Sequence, residues 1–140
     1  MSEKPKPTII INDEMQQAID LVLNTNRNVY LTGKAGTGKT TLLKHILSIC
    51  EKNTIIAAPT GVAAINAGGV TLHSLLKLPF SPYKPAFVRK KTLHVLGEYK
   101  LNDEQIGMIQ NLELLVIDEI SMVRADLLDA VNAVSYTHLT

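Results

Sequence analysis

Eight residues, Gly33-Lys34-Ala35-Gly36-Thr37-Gly38-Lys39-Thr40, fit the pattern G-x-x-x-x-G-K-[ST] in full. The chemistry open to such a run is phosphate binding. Its glycines let the backbone approach an anion closely, and its unpaired N–H groups face that anion. Lys39 is a mobile point charge able to reach β- and γ-phosphates and to follow their charge in a transfer reaction. Thr40 offers a hydroxyl to magnesium. A glycine-rich turn with no ligand is the plainer alternative. Against it stands the context: a strand must deliver the loop and a helix must begin where it ends, so that N–H groups and helix dipole converge on the phosphates.

An acidic pair lies downstream. Asp118-Glu119 follows the apolar run LELLVI, at the carboxyl end of an expected strand, where ligands of parallel sheets gather. Asp118 is suited to hold magnesium, usually through water. The adjacent Glu119 points another way and can polarise an attacking water, which suggests hydrolysis rather than binding alone. A strand simply reaching solvent would also end in two acids, and only the loop upstream tips the reading toward chemistry.

The elements that must position these groups follow from periodicity. Met15, Ala18, Ile19 and Val22 recur at helix spacing after Asn12, with Asp13 and Gln16 placed for a capping box. NVYLT (28–32) reads as a short strand, and Leu42, Leu43, Ile46, Leu47 and Cys50 mark one face of a helix reaching about residue 51. TIIAA (54–58) is a second buried strand, closed by Pro59. Residues 77–102, with three prolines and the basic cluster Lys84, Arg89, Lys90 and Lys91, read as a solvated loop. Asn102 and Gln105 cap a short helix through Asn111. LELLVID (112–118) is a fully buried strand, and Leu127, Leu128, Val131 and Val134 stripe a last helix. Strands alternating with helices predict an α/β fold, a parallel sheet with helices on both faces.

Composition narrows the class. At 140 residues and 46% apolar content, one globular domain with a real core is expected. A net charge of +1 argues neither for nor against a polyanion partner. The lone Cys50 cannot form an internal disulfide and fits a reducing compartment. No run is long enough for a signal-peptide core or a membrane span, so an intracellular, cytoplasmic chain with no membrane partner is expected. Residues 1–8, with Pro5 and Pro7 among lysines, read as a flexible arm.

Between the loop and the acidic pair lies PTGVAAINAGGVTLHS (59–74). Pro59 ends a strand, Thr60 and Gly61 turn the backbone, and a short helix is expected from Val62 whose first N–H groups can hold a phosphate. This stretch resembles motif Ia and its extension in the Pif-type DNA helicases, the superfamily 1 group that travels 5′ to 3′. The other motifs agree in order: GKAGTGKTT resembles motif I, DEISMV motif II, and INDEMQQAI the adenine-reading Q motif. The resemblance spans residues 9–134.

The resemblance implies a P-loop NTPase with a RecA-like sheet, ATP and Mg2+ as cofactors, and single-stranded DNA as partner. It implies roles in DNA repair, recombination and telomere maintenance, with nucleoid association in a bacterium. Lys39 and Glu119 would be catalytic, and Thr40 and Asp118 would hold the metal. Gly33, Lys34, Ala35, Gly36, Thr37, Gly38, Lys39, Thr40 and Thr41 would bind nucleotide. Pro59, Thr60, Gly61, Val62, His73 and Ser74 would line the DNA path. On its residues alone, His73 fits better a histidine capping or packing against a helix end, and only the resemblance reverses that reading. The Q-motif glutamine usually stands where this chain has Met15, so Gln16 is expected to take its place. An AAA+ ATPase acting on protein shares the loop and the acidic pair but lacks PTG…LHS; a nucleotide-binding module without motor activity is the third reading.

Residues 9–134 are thus expected to be part of a first motor domain. The strand that normally lies between the loop strand and the Asp-Glu strand, and a second motor domain in cis, would lie beyond it. Expressed alone, such a piece should bind ATP weakly and unwind nothing. The terminal SYTHLT (135–140) breaks the helical stripe, resembles a translated sequencing adapter and is read as a non-native tail.

Overall fold

The computed structural model describes residues 9–34, 38–78 and 101–139. The expected arm at 1–8, Ala35-Gly36-Thr37, most of the expected loop with its basic cluster, and Thr140 lie outside the described residues. The chain forms two compact units, residues 1–52 and 53–140.

In the first unit, α1 (Asp13–Asn24) packs against α2 (Lys39–Ile49). Ile19, Leu42 and Ile46 are buried between them, flanked by Met15, Ala18, Val22 and Leu23. The cap of α1 is Asn12 rather than the expected Asp13. Asn12 is extended, and its Oδ1 accepts from the Met15 N–H at 2.9 Å, which leaves Asp13 and Glu14 in the first turn where the dipole favours acids. The last turn of α1 has no basic residue of its own. Lys52 supplies the charge from outside the helix, its Nζ donating to the carbonyls of Val22 and Thr25 at 2.8 Å each.

NVYLT does not form the expected strand. Residues 25–34 carry no regular structure, Tyr30 is 73% exposed, and among the described residues no strand pairs with this segment. β-Branched and aromatic residues favour a pleated surface, but only a ladder partner turns that preference into a strand.

The second unit is built on a three-stranded parallel sheet in the order β2-β1-β3. β1 (Thr54–Ala58) is central, β2 (Val70–Thr71) pairs with it through Ala57–Val70 and Ala58–Thr71, and β3 (Leu114–Ile117) through Thr54–Leu114 to Ala57–Ile117. α3 (Gly61–Ala67) links β1 to β2, beginning one residue before the expected Val62. The turn after it depends on Gly69, since a Cβ there would lie 2.2 Å from the Ile56 carbonyl oxygen. No side chain fits, so β2 closes on β1 only with glycine at this position. α4 (Leu72–Leu76), α5 (Asp103–Gln110) and α6 (Ala125–Leu139) complete the unit.

One continuous core serves all of it. Leu72, Leu75 and Leu76 of α4, Ile109 of α5, and Ala130, Val131 and Val134 of α6 pack with Ala57, with Ile55, Leu115 and Ile117 partly buried beside them. Those four strand residues share one sheet face, as the period of two requires. The Asn102–Gln105 capping box of α5 is present in both directions, at 2.8 and 3.1 Å. β3 is shorter than expected and half-buried rather than fully buried, because among the described residues it has a neighbour on one side only. α6 does not stop at Val134 but continues as helix to Leu139, and Leu128, expected in its apolar stripe, is 46% exposed.

Candidate nucleotide site and nucleic-acid face

In the first unit, α2 starts at Lys39, directly at the end of the glycine-rich run. Gly38 caps it at φ 85°, the left-handed region that glycine enters without strain, and no side chain caps the helix. The N–H groups of the first turn are therefore not taken by a capping side chain, and Thr40 and Thr41 are exposed on that turn. Lys39 Nζ donates to the carbonyl of Gly33, so the ammonium spans the two described ends of the loop. Gly33 and Lys34 are exposed. Ammonium, uncapped helix N–H groups and hydroxyls together make a donor set for an anion.

Gln16 and Met15 part company. Gln16 Nε2 donates to Asp20 Oδ1 at 3.0 Å on the exposed side of α1. Met15 sits in the α1–α2 packing, its Cε 4.0 Å from where a Cβ on Gly38 would stand. Two neighbours on a helix are about 100° apart, so only one of them can face α2. The structure thus engages Gln16 with its own helix and puts Met15 beside the loop.

In the second unit, all three strands end at one edge. Asp118 follows β3, Pro59 follows β1, and Leu72-His73-Ser74 follow β2. The chain leaves β1 toward β2 on one side and returns to β3 on the other, the arrangement that opens a crevice at the strands' carboxyl ends. The Asp118 N–H donates to the Ala57 carbonyl at 2.9 Å, tying the acidic pair to β1. Asp118 Oδ1 accepts from the Glu119 N–H at 2.9 Å. Glu119 stands at φ 54°, ψ 44° and is exposed. For a non-glycine residue this costs about 1–3 kcal/mol and persists where the surroundings demand it. A 3-10 turn at Ile120–Met122 follows, its Met122 N–H bonded to the Glu119 carbonyl at 3.0 Å.

Two threonines expected or found on the opposite flank are helix caps. Thr60 Oγ1 accepts from the Ala63 N–H at 3.2 Å, and Thr71 Oγ1 from the Ser74 N–H at 3.1 Å. Pro59 and Thr60 are half-buried, Gly61 and Val62 exposed. His73, half-buried, is second in α4, and its carbonyl accepts from the Leu78 N–H at 3.1 Å; Ser74 is exposed. Asp118-Glu119, Pro59–Val62 and His73-Ser74 therefore share one sheet edge. The left-handed Glu119 and the Lys52 clamp were not found in the sequence. Nothing local marks the first, whereas a helix without a basic last turn signals that its carbonyls need an outside donor.

A parallel sheet switching direction at β1, a glycine-capped loop before α2 and an acidic pair at a strand end define a P-loop NTPase of RecA-like fold. A family model of PIF1-like helicases matches residues 10–137, and the chain belongs to that family. It is 39% identical over 126 residues to the human ATP-dependent DNA helicase PIF1, covering 87% of this chain and 18% of that protein. It is 35% identical to the ATP-dependent DNA helicase PIF7 of Trypanosoma brucei brucei, covering 89% and 12%. Among solved structures, Bacteroides sp Pif1 in complex with ADP-AlF4 is 44% identical with a TM-score of 0.81, over 94% of this chain and 29% of that one. Bacteroides Pif1 bound to ssDNA is 47% identical with a TM-score of 0.76, over 91% and 28%. The chain spans a fifth or less of the length of these curated relatives.

Proposed function

We propose that this chain is part of the first motor domain of an ATP-dependent DNA helicase, which couples ATP hydrolysis to movement along single-stranded DNA and to duplex unwinding. The observation that carries the reading is the shared edge of the sheet in the second unit. It sets an acidic pair fit for phosphate chemistry on the strand next to the one that leads into Pro59–Val62. An AAA+ enzyme has use for the first and none for the second.

Each group has a role that its chemistry supports. Lys39 carries the cation that follows γ-phosphate charge, and the N–H groups of the loop and of α2 orient the phosphates. Gly33, Lys34, Ala35, Gly36, Thr37, Gly38 and Thr41 join Lys39 and Thr40 as the residues proposed to bind the nucleotide. Thr40 and Asp118 are hard oxygen donors of the kind magnesium takes, and bound magnesium would supply charge neutralisation at the phosphates. Among the described residues no group of three or more His, Cys, Asp or Glu is arranged to hold a metal ion by itself. Glu119 polarises the attacking water. Gln16 reads adenine only by leaving Asp20, and Met15 offers the base an apolar contact instead. Pro59, Thr60, Gly61, Val62, His73 and Ser74 line the path of single-stranded DNA, gripping its backbone without reading bases. A second motor domain in cis completes the ATP site. No described helix is long and apolar enough to cross a membrane.

Single-stranded DNA should stimulate ATP hydrolysis by the full-length protein, and His73→Ala should weaken the stimulated rate more than the basal rate. Hydrolysis indifferent to DNA would favour the AAA+ reading. No turnover at all would leave a nucleotide-binding module.

A further inference from the structure

A nucleotide whose phosphates sit at the start of α2 has its base one ribose away, and in the first unit the described helix packed beside α2 is α1. Met15 is the residue of α1 on the loop side, its Cε 4.0 Å from where a Cβ on Gly38 would stand. It is only half-buried, so part of its side chain is open to a ligand. Ile10 and Ile11, which lead into this turn, are 88% and 38% exposed and bring no hydrogen-bonding side chain.

Reading a base needs paired donors and acceptors. Adenine shows a donor at N6 beside an acceptor at N7, which a side-chain amide matches with its own oxygen and nitrogen; guanine shows two acceptors there, O6 and N7, and opposes the amide oxygen. A thioether has no donor and only a weak acceptor, so it packs on either base and distinguishes neither.

The amides of α1 are placed elsewhere. Gln16 Nε2 donates to Asp20 Oδ1 at 3.0 Å, about 100° around the helix from Met15, and Gln17 follows a further step around. The neighbours of Gln16 at i−3 and i+4 are Asp13 and Asp20, two carboxylates that repel a triphosphate. The nearest backbone groups are engaged by the helix start. The Met15 N–H donates to Asn12 Oδ1 at 2.9 Å, and the Asn12 carbonyl accepts from the Gln16 N–H at 2.9 Å.

We infer that Met15 makes the base side of this nucleotide site a packing surface without base recognition, so that the motor takes purine and pyrimidine nucleotides alike. The inference rests on the nucleotide site proposed above and extends it to the class of nucleotide used. A pocket that only packs separates its ligands by about 10–200-fold, whereas one built to hydrogen-bond them does so by about four to five powers of ten.

The test is displacement of a fluorescent ADP analogue from the full-length protein by unlabelled ADP, GDP and CDP in the presence of magnesium. The three Kd values should lie within about tenfold of one another. Met15→Gln should raise the preference for ADP over GDP by about tenfold or more, while Met15→Leu, which keeps the apolar contact, should hold the parent's ratio. In steady-state hydrolysis of ATP and GTP the change made by Met15→Gln should fall in KM and spare kcat, since a base contact is the same in ground and transition states. A parent that binds ADP several hundredfold tighter than GDP overturns the inference and leaves the nucleotide site standing. A parent-like ratio in Met15→Gln also overturns it, by removing Met15 from the base. No displacement by any of the three overturns the inference and the nucleotide site together.

Discussion

Glu119 shows how much a single residue is asked to bear. It is the proposed water-polarising group, and it holds a left-handed conformation that costs about 1–3 kcal/mol for an L-residue. Two substitutions separate these properties. Glu119→Gln keeps the size and the backbone strain, so it should bind ATP as before and lose hydrolysis; loss of binding instead would make the residue structural. Glu119→Gly relieves the strain, so it should raise the urea midpoint while also losing hydrolysis, and a lowered midpoint would contradict the strain argument. The identity of this residue was legible from the strand ending in Asp-Glu, but its conformation was not, since it is set by the Ile120–Met122 turn and the bond to Asp118. Gln16 shows the opposite limit. Its side chain lies one helix position from Met15, and only the packing of α1 on α2 decides which of the two faces the loop.

Among the elements, those whose signals are local were legible. The Asn102–Gln105 box closes within four residues and forms as read. TIIAA became the central strand because its core face meets Leu115 and Ile117 as well as the helices. NVYLT has the composition of a strand but finds no ladder partner among the described residues, and no local pattern reveals that. Two-residue β2 was not legible either, because its pairing depends on the close approach at Gly69. That dependence is testable. A Cβ at 2.2 Å from a carbonyl oxygen forces backbone movement, so Gly69→Ala should cost about 1–3 kcal/mol and expose the β2 amides to hydrogen exchange. A denaturation midpoint and exchange pattern equal to the parent's would show that β2 tolerates the displacement.

At the scale of the molecule, the two units differ in what holds them. Among the described residues the first has three buried apolar side chains and the second a core of ten. Burial is worth about 25 cal/mol per Å² of apolar surface, so the smaller core resists opening less. Amides of α1 and α2 should therefore exchange faster than those of β1 and α6 in this chain, and uniform protection would contradict that. Binding of ATP at the loop would slow exchange in the first unit by linkage. The central claim concerns the full-length protein: that loop, acidic pair and DNA-facing edge serve one helicase. Its most direct measurement is strand separation of a duplex with a single-stranded tail, followed by fluorescence with ATP and magnesium. The account predicts ATP-dependent unwinding of the 5′-tailed duplex, little of the 3′-tailed one, and none by Lys39→Ala. Unwinding by Lys39→Ala at the parent's rate, or none by the parent with either tail while it hydrolyses ATP, would contradict it.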